Sequence, residues 1–180
     1  GVAVAVAAVT NTWVDLGTTT LSAAASYETP TLISTYREYL LVVEHLFSSS
    51  NQDNLLLTIS NDDGSTYESA SYRWGQSRQT ATSADSAQST SASSIQLIGA
   101  QIHDAINESI SGEIHITGHA TASGYAQIMA DIAGWDATNS QMFRYQNHGF
   151  RNVAENTDKI KLAMTTGTMT GTITAYGLRA

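Results

Sequence analysis

The residues with the most recognisable metal-site spacing are His115 and His119, four apart in "GEIHITGH". On a helix that spacing would bring both imidazoles onto one ion. Here the β-branched Ile114, Ile116 and Thr117 and the flanking glycines argue for a strand. Four residues of strand cover about 13 Å at about 3.3 Å each, too far for a single ion to bridge. No metal or cofactor is expected there. The acidic turn "NDDG" could offer oxygen ligands to Ca²⁺, but it lacks the regular carboxylate spacing of a calcium loop. Asp62, Asp63 and Gly64 are explained by turn chemistry, since Asp and Gly tolerate positive φ.

Catalytic signatures fare no better. "GTMTG" carries threonine where a G-x-S-x-G elbow needs serine, and strand-like patterning flanks it where the elbow needs a helix. With no cysteine, thiolate catalysis, thiolate metal sites and disulfides are all excluded. The carboxylates Asp104, Glu113, Asp131 and Asp136 are scattered and show no pairing of the kind a glycoside hydrolase uses. No phosphate-cradling glycine loop is present. These absences point away from an enzyme. The aromatics Trp74, Trp135, Phe143, Tyr145 and Phe150 have the chemistry to stack on sugar rings, and Trp135 and Tyr145 are the candidate glycan contacts. The competing reading is that large aromatics in a β-sandwich anchor cores and interfaces.

Composition narrows the partners. The formal net charge is -8 and the 8 basic residues are dispersed, which argues against nucleic acid. Charged residues make up 13% of the chain, about half the usual fraction, and Ser, Thr, Asn and Gln supply the polar surface instead. Such surfaces are common in extracellular β proteins and virion shells. No apolar run approaches the roughly 20 residues of a membrane span, so no membrane partner is expected. No basic region precedes the Ala/Val-rich start, which argues against a secretory signal.

The elements that must position any site read as strands. "GVAVAVAAVTNTWVDLG" alternates Val2, Val4 and Val6 with alanine before Trp13, the pattern of an extended arm or an edge strand over residues 1–16. "REYLLVVEHL" is apolar on both faces, with Tyr39, Leu41 and Val43 on one side and Leu40 and Val42 on the other. That suits a central strand whose second cover is another subunit. Val2, Val4, Val6, Trp13, Tyr39, Leu41 and Val43 are the candidate interface residues. Inward positions follow at Leu55, Leu57 and Ile59, at Ile114 and Ile116, at Ala126, Ile128, Ala130 and Ile132, and at Ile160, Leu162 and Met164. The low-complexity stretch Thr80 to Ser94 has no large apolar side chain and reads as a mobile loop or one held by a partner. The closing "GTITAYGL" reads as a strand pairing back across a turn near Gly167 and Gly171. About eight to ten short strands without helical periodicity give an all-β, antiparallel, jelly-roll-like sandwich over residues 17–180.

An early "WVDLG", the strand "YREYLLVVEHL", "LLLTISNDDGSTYESASY", the glycine-led "ISGEIHITG" and the late "TDKIKLAMTTGTMTGTITAYGLRA" follow one another along most of the chain. In this order, and above all in the ending "GTITAYGL", they resemble tailed-bacteriophage virion structural proteins of the decoration or tail-fibre type. Ala175 departs from the larger apolar residue expected in that ending. The resemblance implies a non-enzymatic β-sandwich, homotrimeric, on the surface of the virion, with copies of itself and the major capsid protein or tail proteins as partners. Tyr176, Gly177 and Leu178 would close a sheet. No stalk, coiled coil or collagen-like repeat is present, which favours a capsid-surface decoration protein over a tail fibre or receptor-binding component.

Overall fold

The computed structural model describes residues 12–179. Val2, Val4 and Val6 lie outside the described residues. The strands are β1 (Trp13–Ala24), β2 (Ser26–Glu28), β3 (Tyr36–Ser48), β4 (Asp53–Ser60), β5 (Tyr72–Thr80), β6 (Ala84–Ala92), β7 (Ile95–Ile102), β8 (Ile110–Thr117), β9 (Gln127–Asp136), β10 (Gln141–Arg151), β11 (Lys159–Met164) and β12 (Met169–Arg179). A single turn of 3₁₀ helix, Ile106–Glu108, is the only helical element among the described residues. No helix there is long and apolar enough to cross a membrane.

The strands form two antiparallel sheets. The larger has the order β1-β12-β3-β8-β9-β10-β5-β6 and the smaller β2-β11-β4-β7. Remove two hairpins and a jelly roll remains: β1, β12, β3 and β8 face β2, β11, β4 and β7, and the chain switches sheet at every step except from β4 to β7, which pair with each other. The hairpins β5–β6 and β9–β10 are inserted into that path and extend only the larger sheet. The all-β sandwich expected from patterning is therefore what the chain forms.

Period-two alternation decides the core. Leu55, Leu57 and Ile59 of the smaller sheet meet Ile114, Ile116, Ile128 and Ile132 of the larger, all buried. Tyr39, Leu41 and Val43 belong to this same layer, at 1%, 0% and 1% exposure. They are consequently not an interface, contrary to the sequence expectation. Both faces of β3 are apolar, and only pairing with the second sheet could show which of them turns inward. The face left half-exposed carries Leu40 and Val42.

Three other expectations are corrected or resolved. Residues 80–94 are not a loop: Ala84–Ala92 is β6, paired with β5 from Ala84↔Gln79 to Ala92↔Tyr72. Most of this strand is exposed on both faces, with only Ser89 and Ala92 half-buried, so it needs no large side chain to be ordered. Its backbone ladder to β5 holds it, together with the paired side chains of Arg78 and Asp85. The charge of Asp85 and the β-bulge between Tyr72 and Trp74 also discourage unwanted pairing along this edge. Second, "GTITAYGL" does not fold back on the preceding strand. β12 pairs with β1 and β3, while β11 lies in the opposite sheet between β2 and β4. Third, Trp13 to Leu16 are part of β1, the edge strand of the larger sheet, and Trp13 sits opposite Leu178.

The β11–β12 corner, where the chain leaves one sheet for the other, is organised by a buried carboxylate. Asp53 accepts hydrogen bonds from the amides of Asn54 (2.9 Å), Thr165 (3.0 Å), Thr166 (3.2 Å) and Gly167 (2.7 Å) and from the Ser48 hydroxyl (2.8 Å). Burial alone pushes this carboxyl up. The Ser48 hydroxyl and the Gly167, Asn54 and Thr166 amides outweigh it and hold the group below its ordinary value of 3.8.

Candidate functional site

The inserted hairpins create a surface that an eight-stranded jelly roll would lack. On β5, Tyr72 and Gln76 are buried inward, so Arg73, Gly75 and Ser77 point away from the smaller sheet. Cross-strand partners share a face. Arg73 therefore stands beside Phe150, Gly75 lies between His148 and Gln88, and Ser77 lies between Gln146 and Ser86. These three rows line an open groove of about 790 Å³ across β10, β5 and β6. That is within the range of small-ligand sites, about 300–1,000 Å³.

Gly75 sets the groove's depth. A Cβ at this position would sit 2.8 Å from His148 Cε1 and 3.0 Å from its Nε2, so the imidazole lies across the glycine and floors the groove. Arg73, Gln88, Gln146 and His148 are exposed, and they combine donors with acceptors. Phe150 closes one end. Its ring packs against Tyr125 with centroids 5.3 Å apart and planes tilted by 41°, forming a partly exposed aromatic ledge. No carboxylate lines the groove. Asp131, next along the row from Gln146, is engaged by Arg144, whose Nε donates to it at 2.7 Å. The groove thus offers amide, imidazole, hydroxyl and guanidinium groups at strand spacing beside an apolar ring.

The residues expected to contact glycan are separated by the fold. Tyr145 is buried at 3% exposure, donates its hydroxyl to the Gly99 carbonyl at 3.0 Å and stacks edge-on against Phe143. It anchors β10 to β7 and is not a ligand contact. Trp135 is 36% exposed on the outer face opposite Met142, away from the groove. Tyr145→Phe is expected to cost about 1 kcal/mol, because the Gly99 carbonyl loses its partner. Trp135→Ala should stay within about 0.5 kcal/mol of wild type. Urea unfolding of the two variants checks both values.

The histidines also part company. His115 Nδ1 lies 2.6 Å from Glu38 Oε1 on the outer face, with Glu113 Oε2 3.5 Å from its other nitrogen. His119 is buried, edge-on to Tyr39 at 4.9 Å, with Nε2 3.2 Å from the Ile33 carbonyl. Burial holds His119 below its ordinary value. Among the described residues no group of three His, Asp or Glu is placed to hold a metal. Asp62 caps its own turn, accepting from the Thr66 amide at 2.8 Å and from the Thr66 hydroxyl at 2.6 Å. A second concavity, about 400 Å³, borders His103. His103 Nε2 lies 3.5 Å from the buried Asp136, which accepts from the Asn139 amide and side chain at 3.2 and 2.7 Å. That pair fastens the β9–β10 turn to the end of β7.

Sequence reasoning missed the groove because its lining is spread over β5, β6 and β10. The signal was present in the alternation of Arg144, Gln146 and His148 with Phe143, Tyr145 and Asn147, but the strand order that joins it to Arg73 and Gln88 was not.

No family model matches the chain, and no curated protein sequence matches it. Among solved structures, the galectin LEC-6 of Caenorhabditis elegans is similar over 91% of this chain and 96% of its own, at 8% identity and a TM-score of 0.40. A protein of unknown function from Bacteroides ovatus is similar over 69% of this chain and 45% of its own, at 13% identity and a TM-score of 0.22.

Proposed function

We propose that this chain is a non-enzymatic structural protein on the surface of a tailed-phage virion, and that it serves there as a carbohydrate-binding module. The observation that carries the binding role is the groove over Gly75. Sugar hydroxyls both donate and accept, and the side chains of Gln88, Gln146 and His148 match them. The Phe150–Tyr125 ledge offers a ring face to the C–H surface of a pyranose. The virion assignment rests on the ordered motifs from "WVDLG" to "GTITAYGL".

A second reading, a capsid-surface decoration protein, is favoured by a different surface. Leu40 and Val42 on β3 are half-exposed, and Met129, Trp135 and Met142 on β9 and β10 are exposed on the same outer side. Apolar side chains in that number fit docking on a capsid or tail subunit or on further copies of this chain, such as the homotrimer implied by the motifs. The two surfaces adjoin on one sheet, Met129 standing opposite His148 in the β9–β10 ladder, so a docking contact that stops short of Met129 leaves the groove open.

The test has two arms. Purified protein on a glycan array should bind a defined set of saccharides, and the double variant with Gln88→Ala and His148→Ala should lose at least about tenfold in affinity with its unfolding midpoint unchanged. Immunogold labelling of intact particles should place the chain on head or tail. A folded protein that binds no glycan removes the binding role, and particles without gold remove the virion role.

A further inference from the structure

Resting on the carbohydrate-binding reading, we propose that the groove selects acidic saccharides. A sugar carboxylate would dock on Arg73 while the ring bearing it lies against Phe150.

The charge distribution carries this. The chain has 16 acidic residues against 8 basic ones, yet none of the acidic residues lines the groove. Three other arginines are consumed by carboxylates: Arg78 by Asp85, Arg144 by Asp131, and Arg151 by Glu68 and Glu155. Arg73 is exposed and has no carboxylate partner among the described residues. It stands directly opposite Phe150 in the β5–β10 ladder. An unpaired guanidinium beside an aromatic ledge presents a planar fork of donors that fits a carboxylate through two parallel hydrogen bonds. A hydroxyl of a neutral sugar can accept from that fork but brings neither the charge nor the bidentate fit of a carboxylate.

The rest of the molecule limits the ligand's charge. At a net -8 the protein repels polyanions, and Asp131 and Glu113 continue the row beyond Gln146. A densely sulfated or phosphorylated chain laid along this row would run into Glu113, and Arg144 is already taken by Asp131. An oligosaccharide with an isolated carboxylate, of the uronic or sialic acid type, places its one charge on Arg73 and keeps neutral hydroxyls over Gly75 and Ser77.

The experiment is a glycan array printed with matched pairs, each acidic oligosaccharide beside its carboxyl-reduced or unsialylated counterpart, followed by calorimetry on the best-bound pair at low and physiological salt. The acidic member should bind at least about tenfold more tightly, and the advantage should shrink as salt rises. Arg73→Gln should equalise the two members while keeping affinity for the neutral one, and Phe150→Ala should weaken both. Equal binding within every pair, or an acidic preference that survives Arg73→Gln, overturns the inference and leaves the carbohydrate-binding reading standing. No binding to any glycan by folded protein overturns both.

Discussion

Asp53→Ala is expected to destabilise the protein by roughly 3–5 kcal/mol, a large share of the 5–15 kcal/mol typical of a domain. The carboxylate is buried and is the common acceptor for four backbone amides and the Ser48 hydroxyl. Alanine leaves those donors without an acceptor in a corner where little water reaches them. Three of the amides, from Thr165, Thr166 and Gly167, belong to the segment that carries the chain from one sheet to the other. The loss should therefore loosen the docking of β12 between β1 and β3. Asp53→Asn keeps the volume but removes the charge and one acceptor oxygen, and it should fall between wild type and alanine. The same carboxylate gives stability a pH dependence with a defined sign. Its folded-state pKa lies below the ordinary 3.8, so its contribution is complete above about pH 4 and is lost as the pH falls through the depressed folded value. Urea unfolding from pH 7 down to pH 2 should show wild type losing stability in that acidic window and Asp53→Asn losing less. An Asp53→Ala midpoint within about 1 kcal/mol of wild type would show that the corner is held by other contacts.

The second large effect separates two neighbouring leucines. Leu41→Ala should cost about 2–5 kcal/mol, because the side chain is fully buried between the sheets and its removal leaves a cavity lined by Ile and Leu. Leu40→Ala, one residue earlier on the half-exposed face, should cost less than about 1 kcal/mol. The outcomes are reversed if β3 is flipped, since a one-residue change of register exchanges the two faces of a strand. Denaturant midpoints for the two variants settle the orientation of β3. Leu40→Ala has a further use: if the outer face docks on another subunit, this variant should weaken assembly while leaving the protomer's stability nearly intact.

Much of the architecture was legible along the chain. The alternation in "LLLTIS", "GEIHITG", "AQIMADI" and "DKIKLAM" marks strands with one buried face, and each of those inward positions is buried or nearly so. The Asp63–Gly64 turn was legible too, with φ of 56° and 87° at the two residues. Where reading failed, the deciding quantity was not local. The stretch 80–94 lacks the burial that orders most segments, and β6 is held instead by a backbone ladder to β5, a partner that no local pattern identifies. Tyr39, Leu41 and Val43 read as interface residues in the sequence because an apolar run shows two apolar faces without saying which one meets the second sheet. Tyr145 and Trp135 are both aromatics on adjacent strands, yet they point to opposite faces, one buried and one exposed.

The sequence by itself determined the fold class: strand periodicity, turn residues and the absence of helical period are local properties of the backbone and of solvent exclusion. It also determined the chemistry that is ruled out, since a chain without cysteine cannot use a thiolate. Only the tertiary structure decided which faces are surface and which distant residues meet. Arg73, Gln88, His148 and Phe150 come from three strands, β5, β6 and β10, and are neighbours because two hairpins were inserted on the same side of one sheet. Strand order is fixed by long-range pairing and by the burial each pairing completes, and neither quantity is a property of any single stretch of the chain.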